Sequence, residues 1–335
     1  MSRSLRIGVC QMDAAPAPVS DRLQRAAALV ETAAQQAAQI VVLPELFNIG
    51  YIYDDSNYAA AEPLDGQTVQ WMKAQASQHQ VYIAGSLLLC DQGEIYNAAL
   101  LIAPDGKQWR YDKNYPWLYE RAYFRGHPNI TIADTELGKL GMLICWDSAH
   151  ANLWQQYAGQ VDAMLVMSCP PNMGHHDLVF SDGTKVNFQE LNPGVDSEFP
   201  SRDMELRAAW MQVPVAATTG SGRFKSRLPR QRLTALLELL RRPDLWRKAD
   251  NAVMETGYFR ETKIVDAQGK VLARIEHDED GVVVAEVICP DQLPMPTTKQ
   301  PPMHTHPLVY FTADILSNVF LSNVYRRGVK GVKSR

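Results

Sequence analysis

The sequence predicts an α/β fold with mixed parallel and antiparallel strands in a single domain. Three observations support this prediction. The chain opens with a strand, a helix and a second strand; turn signals join two later pairs of strands; and no internal repeat, low-complexity tract or linker divides its 335 residues. A chain of this length can bury a substantial core.

The opening strand–helix–strand unit is the clearest local pattern. Residues 5–12 read as a strand, and Ser20 is a suitable N-cap for the alanine-rich amphipathic helix that follows. Residues 40–43 form a short, continuously apolar run, which is typical of a strand covered on both faces. Two strands joined by a helix of this length predict a parallel pair with a right-handed crossover.

The rest of the chain continues this alternation and adds two hairpins. Residues 104–106 (Pro-Asp-Gly) and 267–269 (Ala-Gln-Gly) each separate two predicted strands and are hairpin signals. The further predicted strands are 81–89, 95–103, 107–112, 140–145, 163–167, 262–266, 270–275 and 282–288, and the further predicted helices are 68–79 and 152–159.

Two segments depart from this regular pattern. Residues 170–200 are rich in proline, glycine, asparagine and aspartate, which predicts a long loop. Residues 230–248 carry leucines at helical spacing, which predicts an extra amphipathic helix or helix pair. That helix could pack on the surface of the domain or take part in substrate binding, and the sequence leaves both roles open.

Composition and charge exclude several classes of partner and site. A formal net charge of −4 provides no basic field for nucleic acid. The five cysteines are odd in number, widely spread and without a CxxC pair, so they form neither a disulfide framework nor a zinc site. The histidine pairs at 175–176 and 304–306 lack companion ligands, so no metal is expected. The N-terminus has no apolar stretch of signal length, which predicts a cytoplasmic location.

Three ionisable residues stand where predicted strands end. Glu45 follows the apolar run at 40–43, Lys113 follows the first hairpin, and Cys145 ends the strand that begins at residue 140. Sheets in α/β proteins expose functional groups at such ends. A thiol becomes a nucleophile when a base takes its proton or a cation stabilises its thiolate. Together the three residues could form an acyl-transfer site. Singly, a cysteine that ends an apolar strand is more often a buried thiol, and a glutamate or lysine at a strand end is usually a salt-bridge partner, so their spacing alone does not establish the site.

The sequence around these positions resembles the nitrilase superfamily, the carbon–nitrogen hydrolases. Three stretches resemble that family's glutamate, lysine and nucleophile motifs, in the family's order and at its approximate spacing. They are VLPELFNIGY at 42–51, YNAALLIAPDG at 96–106 with YDK at 111–113, and GMLICWD at 141–147. The resemblance covers roughly residues 5–170, with weaker similarity at 213–220 and 262–287.

The resemblance implies an αββα four-layer sandwich that often dimerises into an eight-layered unit. It also implies a covalent mechanism with no metal or organic cofactor. Cys145 would be the nucleophile, Glu45 the general base, and Lys113 the group that stabilises the tetrahedral intermediate. Ammonia or an amine would leave a thioester, which water would then hydrolyse.

Four further residues are candidates for the site. Glu120 matches the Glu-Arg-x-x-Phe-x-Gly form of the family's second glutamate, which would position the nucleophile or relay protons; a surface salt bridge with a neighbouring arginine is the alternative. The backbone N–H of Trp146 would be a second oxyanion donor. Tyr51, at the end of the glutamate motif, and His150, just past the nucleophile, are candidates for substrate contact. A partnered structural role is the alternative for His150.

The predicted reaction is hydrolysis of a small amide or N-carbamoyl compound. Asp147 follows Trp146 where true nitrilases commonly have glutamate, which favours amides and carbamoyl compounds over nitriles. Residues 148–152 lack the Pro-Glu that many amidases of the family carry, so the branch stays open. A nitrilase, an acyltransferase and a catalytically silent scaffold protein are the alternatives.

The predicted domain covers residues 1–290, with insertions at about 170–200 and 225–258. Residues 291–335 form an extension, apolar at 308–325 and then basic. Polar residues interrupt the apolar part, so it is a poor transmembrane span. A helix that packs on a partner subunit of a homodimer or higher homo-oligomer, or one that lies on an anionic membrane surface, fits this pattern.

Overall fold

The computed structural model describes residues 3–191, 202–229, 239 and 242–333. Its strands are β1 (Arg3–Asp13), β2 (Ile40–Val42), β3 (Tyr82–Asp91), β4 (Glu94–Ile102), β5 (Gln108–Asp112), β6 (Ile132–Thr135), β7 (Gly138–Ile144), β8 (Ala163–Met167), β9 (Asp177–Val179), β10 (Lys185–Asn187), β11 (Val215–Thr218), β12 (Gly220–Ser221), β13 (Arg223–Arg227), β14 (Val253–Gly257), β15 (Lys263–Val265), β16 (Val271–Arg274) and β17 (Gly281–Cys289).

The helices alternate with these strands in the first two thirds of the chain and gather at its end. The α-helices are α1 (Val19–Gln35), α2 (Ser56–Ala60), α3 (Gln67–His79), α4 (Ala151–Tyr157), α5 (Phe188–Leu191), α6 (Asp203–Met211), α7 (Pro307–Tyr310) and α8 (Ser317–Lys333). Short 3-10 turns lie at Leu118–Ala122, Cys145–Ala149, Met173–His175 and Pro243–Asn251, and a π turn lies at Phe311–Leu316.

Two large sheets form the centre of the molecule. One has the order β12-β1-β2-β3-β4-β5, with β17 also paired to β1, and the other has the order β16-β15-β11-β8-β7-β6. β1 and β2 are parallel, as the opening unit predicted. β4 with β5 and β15 with β16 are antiparallel, so both predicted hairpins are confirmed.

The two sheets face each other and each is covered on its outside by helices. Alternate residues of β1 point in opposite directions: Ile7 and Val9 join the core between the sheets, whereas Cys10 and Met12 join the core under α1 and α3. Burial on both faces explains why these strands are continuously apolar. The predicted αββα four-layer sandwich is therefore confirmed.

A third, smaller sheet corrects one prediction. Residues 170–200 were expected to be an irregular loop, but β9 and β10 form a hairpin there and pair with β14 and β13 in the order β10-β9-β14-β13. Strands of three residues are too short to show an alternating pattern, and the turn-rich composition between them masked the hairpin. Residues 192–200 of this segment lie outside the described residues, as do residues 230–238, 240 and 241 of the helix predicted at 230–248. The described end of that predicted helix falls in the 3-10 turn Pro243–Asn251.

The N-terminus of α1 corrects a second prediction. The helix begins at Val19, one residue before the expected cap, and no side chain caps it. Pro18 stands immediately before it, and the Ser20 hydroxyl donates to Asp21 instead (3.0 Å). A residue within the first turn cannot occupy the cap position, so Ser20 is not the N-cap.

The segment after β17 packs along the outside of its own chain. It first crosses α6, where Arg207 and Trp210 donate hydrogen bonds to backbone carbonyls of residues 298–302. α8 then buries Tyr325 against the body, and a Cβ at Gly328 would lie 2.0 Å from the ring of Tyr58, so only glycine permits this approach. Within the described residues, no helix is long and apolar enough to cross a membrane.

Candidate active site

Glu45 lies at the point where the first sheet faces the second. It follows β2 after Leu43 and Pro44 and is 2% exposed. Its Oε1 accepts hydrogen bonds from Lys113 Nζ (2.8 Å) and Asn97 Nδ2 (2.8 Å), and its Oε2 accepts one from the backbone N–H of Cys169 (2.9 Å). Both oxygens are therefore held by donors from different strands.

The protonation of Glu45 is set by opposing effects. Burial raises its pKa, and it outweighs the lowering by the Lys113 charge, so the pKa stands at about 7. The nearby carboxylate of Glu120 adds to the increase, while hydrogen bonds from Lys113 and the Cys145 thiol reduce it. A carboxylate with this pKa can accept and return a proton near neutral pH.

Lys113 is fully buried between two carboxylates. Its backbone N–H donates to the carbonyl of Asn97 (2.9 Å), which fixes the residue just beyond β5. Its Nζ lies 2.8 Å from Glu45 Oε1 and 2.7 Å from Glu120 Oε2. Burial alone would lower the pKa of Lys113, but the two carboxylates outweigh it and raise the pKa well above its usual value, so the ammonium stays charged.

Glu120 sits in the 3-10 turn Leu118–Ala122 and is 2% exposed. Its Oε2 accepts from Lys113 and from the backbone N–H of Trp117 (2.6 Å), and its Oε1 accepts from the hydroxyl of Tyr51 (2.5 Å). The alternative of a surface salt bridge with a neighbouring arginine is wrong, because Glu120 is buried and paired with Lys113. Tyr51 thus belongs to the cluster through Glu120.

Cys145 is the first residue of the 3-10 turn that follows β7. It is partly buried and has a φ of +49°, a left-handed conformation that non-glycine residues rarely adopt. Its thiol is hydrogen-bonded to Glu45. Burial and the charge of Glu45 raise its pKa well above the usual value, despite the lowering by Lys113. The resting sulfur is therefore a protonated thiol whose nearest base is Glu45.

Trp146 and His150 face the C-terminal segment. The indole Nε1 of Trp146 donates to Asp314 Oδ1 (3.1 Å). The two ring nitrogens of His150 contact the Trp146 carbonyl oxygen and Asp314 Oδ2, both at 2.9 Å, and its ring stacks on Tyr115 at 3.6 Å. Both ring nitrogens of His150 therefore have partners, which agrees with the structural role considered for it.

Two buried residues that the sequence analysis did not assign to the site complete the cluster. Asn97 orients Glu45 and fixes the Lys113 backbone, as described above. Asp147 accepts from the Tyr111 hydroxyl (2.7 Å) and from the backbone N–H of Tyr115 (2.8 Å), so it joins the Lys113 strand to the nucleophile turn. Burial raises its pKa to about 6. Asn97 and Asp147 both lie inside the three motifs quoted in the sequence analysis. Their place in those motifs was the signal that could have identified them.

The small third sheet borders this cluster through aromatic rings. Phe224, in β13, lies 5.9 Å from the ring of Tyr51 and 5.4 Å from that of Tyr53. Tyr258, just after β14, packs 6.2 Å from Phe224 and forms an isolated bridge with Pro171. The two segments expected to be insertions therefore meet at the bridge between Pro171 and Tyr258, and Phe224, which directly precedes the second segment, packs against Tyr51.

A cleft of about 690 Å³ opens next to the cluster but not over it. Its walls are residues 114–128 on one side and residues 314–326 on the other, and neither Glu45 nor Cys145 lines it.

Within the described ranges, no three histidine, cysteine or acidic side chains are grouped so as to hold a metal. His176 and His304, from the two histidine pairs, contact the Met173 carbonyl oxygen (2.6 Å) and Asp203 (2.7 Å) instead.

Comparison with known proteins identifies a family whose model matches most of the chain. The family model described as carbon-nitrogen hydrolase matches residues 6–291, from within β1 to just beyond β17. The chain is 33% identical to omega-amidase NIT2-A of Xenopus laevis over 167 residues, which are 46% of this chain and 59% of that protein. It is 28% identical to a nitrilase of Pyrococcus abyssi over 147 residues, 43% of this chain and 56% of that protein. The chain thus spans less than two thirds of these relatives.

Solved structures share the fold at lower identity. Saccharomyces cerevisiae Nit3, a member of branch 10 of the nitrilase superfamily, superposes with a TM-score of 0.64 at 21% identity, covering 89% of this chain and 96% of that one. A mutant of the amidase from Nesterenkonia sp. AN1, with the acetamide moiety of fluoroacetamide covalently added at its active-site cysteine, gives 0.62 at 16% identity, covering 85% and 90%. The αββα arrangement is common to all of them.

Proposed function

This chain belongs to the carbon-nitrogen hydrolase family, and from that membership we propose that it hydrolyses a non-peptide carbon–nitrogen bond in a small amide or N-carbamoyl compound. The observation that carries the proposal is the buried cluster in which Lys113 lies between Glu45 and Glu120 while the Cys145 thiol donates to Glu45. A base, a cation and a nucleophile within hydrogen-bond reach are the components that acyl transfer through a thiol requires.

In the first proposed half-reaction, Glu45 takes the thiol proton as the Cys145 sulfur attacks the carbonyl carbon. The negative charge that develops on oxygen is stabilised by Lys113 and by the backbone N–H of Trp146. The tetrahedral intermediate collapses, the proton held by Glu45 passes to the leaving nitrogen, and ammonia or an amine departs. A thioester of Cys145 remains.

In the second half-reaction, Glu45 takes a proton from water as the water oxygen attacks the thioester carbon. Collapse releases the carboxylic acid, or the carbamic acid of an N-carbamoyl substrate, and the proton returns to the Cys145 sulfur. Glu120 does not need to exchange a proton in this scheme. Its contacts with Lys113, Trp117 N–H and Tyr51 support a role in positioning the lysine.

A nitrile substrate is the second candidate, because one relative is a nitrilase and the same cysteine could attack a nitrile carbon. A silent scaffold protein is disfavoured, because Glu45, Lys113, Glu120 and Cys145 are all retained and brought together. Transfer of the acyl group to an amine instead of water would use the same residues, and only the products would distinguish it.

The test is a panel of primary amides, N-carbamoyl compounds and nitriles assayed for ammonia release, with intact-protein mass spectrometry for the acyl adduct. We expect turnover of at least one amide or carbamoyl compound and an adduct on Cys145. Cys145→Ala should abolish both, whereas Cys90→Ala, which changes a partly buried thiol in β3, is the matched control and should change neither. Full turnover by Cys145→Ala would refute the assignment.

We also propose that the protein forms a homodimer or higher homo-oligomer through the outer face of its C-terminal helical segment. Leu308, Phe311, Ile315 and Val319 follow one another at helical spacing and are 49–65% exposed. An uninterrupted apolar row of this kind is typical of a surface that a partner covers, and a two-fold partner would offer the same row.

Light scattering tests this surface. The wild-type mass should be a multiple of 37.5 kDa, and Ile315→Glu should reduce it, while Leu272→Glu, at an exposed position of β16, should not. A monomeric wild-type protein that sediments with anionic vesicles would instead favour the membrane-surface alternative, since basic residues follow the apolar row.

A reducing, cytoplasmic location is part of the proposal because the site depends on a free thiol.

We propose residues 1–290 as the hydrolase domain and residues 291–335 as an extension of it. The family match ends at residue 291, which supports this boundary.

A further inference from the structure

The two turns that carry Cys145 and Glu120 are alike in one respect. Each is a 3-10 turn of five residues that begins with a non-glycine residue at positive φ: +49° at Cys145 and +38° at Leu118. Such backbone conformations are strained and persist only where surrounding contacts hold them. Something outside the turns must therefore stabilise them.

Asp314, in the π turn of the C-terminal segment, contacts both of these turns. Its Oδ1 accepts from Trp146 Nε1 (3.1 Å) and from a terminal nitrogen of Arg121 (3.0 Å), and its Oδ2 pairs with His150 Nε2 (2.9 Å). Trp146 is the residue after Cys145, and Arg121 is the residue after Glu120. One carboxylate thus joins the neighbours of the nucleophile and of the second glutamate.

Further contacts from the same segment reinforce this junction. The hydroxyl of Tyr310 donates to the carbonyl of Ala149, the last residue of the nucleophile turn. The Nε of Arg121 donates to the carbonyl of Ala313 (2.8 Å), and the ring of Tyr310 lies 5.3 Å from that of Trp146. The side chains of Asp314 and Arg121 are only 18% and 12% exposed, so their ion pair is poorly screened by water.

A simpler explanation is that Asp314 only anchors the extension to the body of the protein. A second carboxylate–histidine pair already does this elsewhere: Asp203, in α6, lies 2.7 Å from His304 of the extension. Neither Asp203 nor His304 has a described hydrogen bond or ion pair with a residue of the nucleophile turn or of the Glu120 turn. The two pairs therefore allow anchoring and positioning to be separated by experiment.

We propose that Asp314 is a positioning residue through which the C-terminal segment holds the Cys145 turn and the Glu120 turn in their relative arrangement. The chemical meaning of this arrangement rests on the proposed function. The contacts do not, because they would orient the Cys145 sulfur for any electrophile. Asp314 itself reaches neither the sulfur nor Lys113 in the described contacts, so it acts through Trp146 and Arg121.

The experiment compares Asp314→Asn with Asp203→Asn in the full-length protein. An asparagine keeps the size of the side chain but loses its charge and places an amide donor against either His150 or the Trp146 and Arg121 donors. We measure the alkylation rate of Cys145 by iodoacetamide, mapped by peptide mass spectrometry, together with kcat and KM for a substrate found in the panel. Circular dichroism verifies that each variant is folded.

We expect Asp314→Asn to slow alkylation and to lower kcat by about tenfold or more, with KM within about twofold, because a displacement of ~1 Å can cost 100-fold in rate. Asp203→Asn should alkylate within about twofold of wild type by the same reasoning. If Asp314→Asn fails to fold, Tyr310→Phe, which loses the hydroxyl that bonds to Ala149 and Thr305, is held to the same criterion of slowed alkylation.

Wild-type alkylation in the variant that folds would overturn the proposal, as would equal slowing by Asp203→Asn. The alkylation rate does not depend on the natural substrate. A wild-type protein that turns over none of the compounds would therefore count against the proposed hydrolysis and leave the positioning test intact.

Discussion

The Glu45→Gln substitution keeps the shape of the side chain but removes its ability to take the Cys145 proton. The structure shows that it also disturbs hydrogen bonding, because both carboxylate oxygens accept from donors: Oε1 from Lys113 and Asn97, and Oε2 from the N–H of Cys169. A glutamine must turn its NH₂ towards one of these donors. The unmatched buried donor should destabilise the fold by about 1–3 kcal/mol.

The expected loss of activity is larger and has a distinct pH signature. General bases typically contribute about 100-fold or more to the rate, which is about 2.7 kcal/mol of transition-state stabilisation. In the wild-type protein only deprotonated Glu45 can accept the thiol proton. With a pKa of about 7, kcat/KM should therefore rise with pH through an acid limb centred near neutrality. Glu45→Gln should lack that limb.

The assay is ammonia release from an accepted substrate across the neutral pH range, with thermal unfolding measured alongside to separate stability from chemistry. Glu120→Gln is the matched control. Its oxygen can still accept from Lys113 and Trp117 N–H while its NH₂ donates to the Tyr51 hydroxyl, which can reverse its role. This variant should keep the acid limb and lose less activity. Normal turnover by Glu45→Gln with a dead Glu120→Gln would show that the base was assigned to the wrong glutamate.

Three other substitutions test the rest of the cluster. Lys113→Met leaves two buried carboxylates without their cation. It should lower the free energy of unfolding, measured by denaturant titration, by about 3–5 kcal/mol and should abolish detectable turnover. Tyr51→Phe removes the hydrogen bond to Glu120 and should cost about 1 kcal/mol and lower kcat, whereas Tyr53→Phe, which keeps that bond, should change kcat less. Asp147→Asn weakens the link between the Lys113 strand and the nucleophile turn, so kcat should fall with little change in KM; an unchanged kcat would refute that link.

Much of the architecture could be predicted because its signals are local. The parallel β1–β2 pair, both hairpins and the continuous apolar strands follow from turn residues and from hydrophobic patterns within short windows. The same holds for the strand ends at which Glu45, Lys113 and Cys145 stand. The β9–β10 hairpin was not predicted because a strand of three residues is shorter than the run of about four to eight residues over which an alternating pattern can be recognised. Ser20 was assigned wrongly because the position of a helix end is uncertain by about one or two residues.

The connections between distant segments could not be predicted in this way. Glu45 belongs to the first sheet and Cys145 to the second, so their contact depends on how two sheets pack face to face, and only the resemblance to a family suggested it. The N–H of Cys169 that binds Glu45 is a backbone group available at almost any position. Asp314 lies far along the chain from its partners, in an extension whose composition indicated only a helix with an apolar side.

The charge balance of the cluster explains why Glu45 and Cys145 must be considered together. One ammonium, that of Lys113, faces the carboxylates of Glu45 and Glu120, so the cluster carries an excess negative charge when both are ionised and the thiol is protonated. Losing the thiol proton to solvent would raise this excess from one to two buried negative charges. Burial and the charge of Glu45 therefore raise the pKa of Cys145. Moving that proton to Glu45 leaves the total charge unchanged. The same burial that makes a free thiolate unfavourable therefore makes transfer within the cluster the less costly route, and it leaves on Glu45 the proton that the departing nitrogen requires.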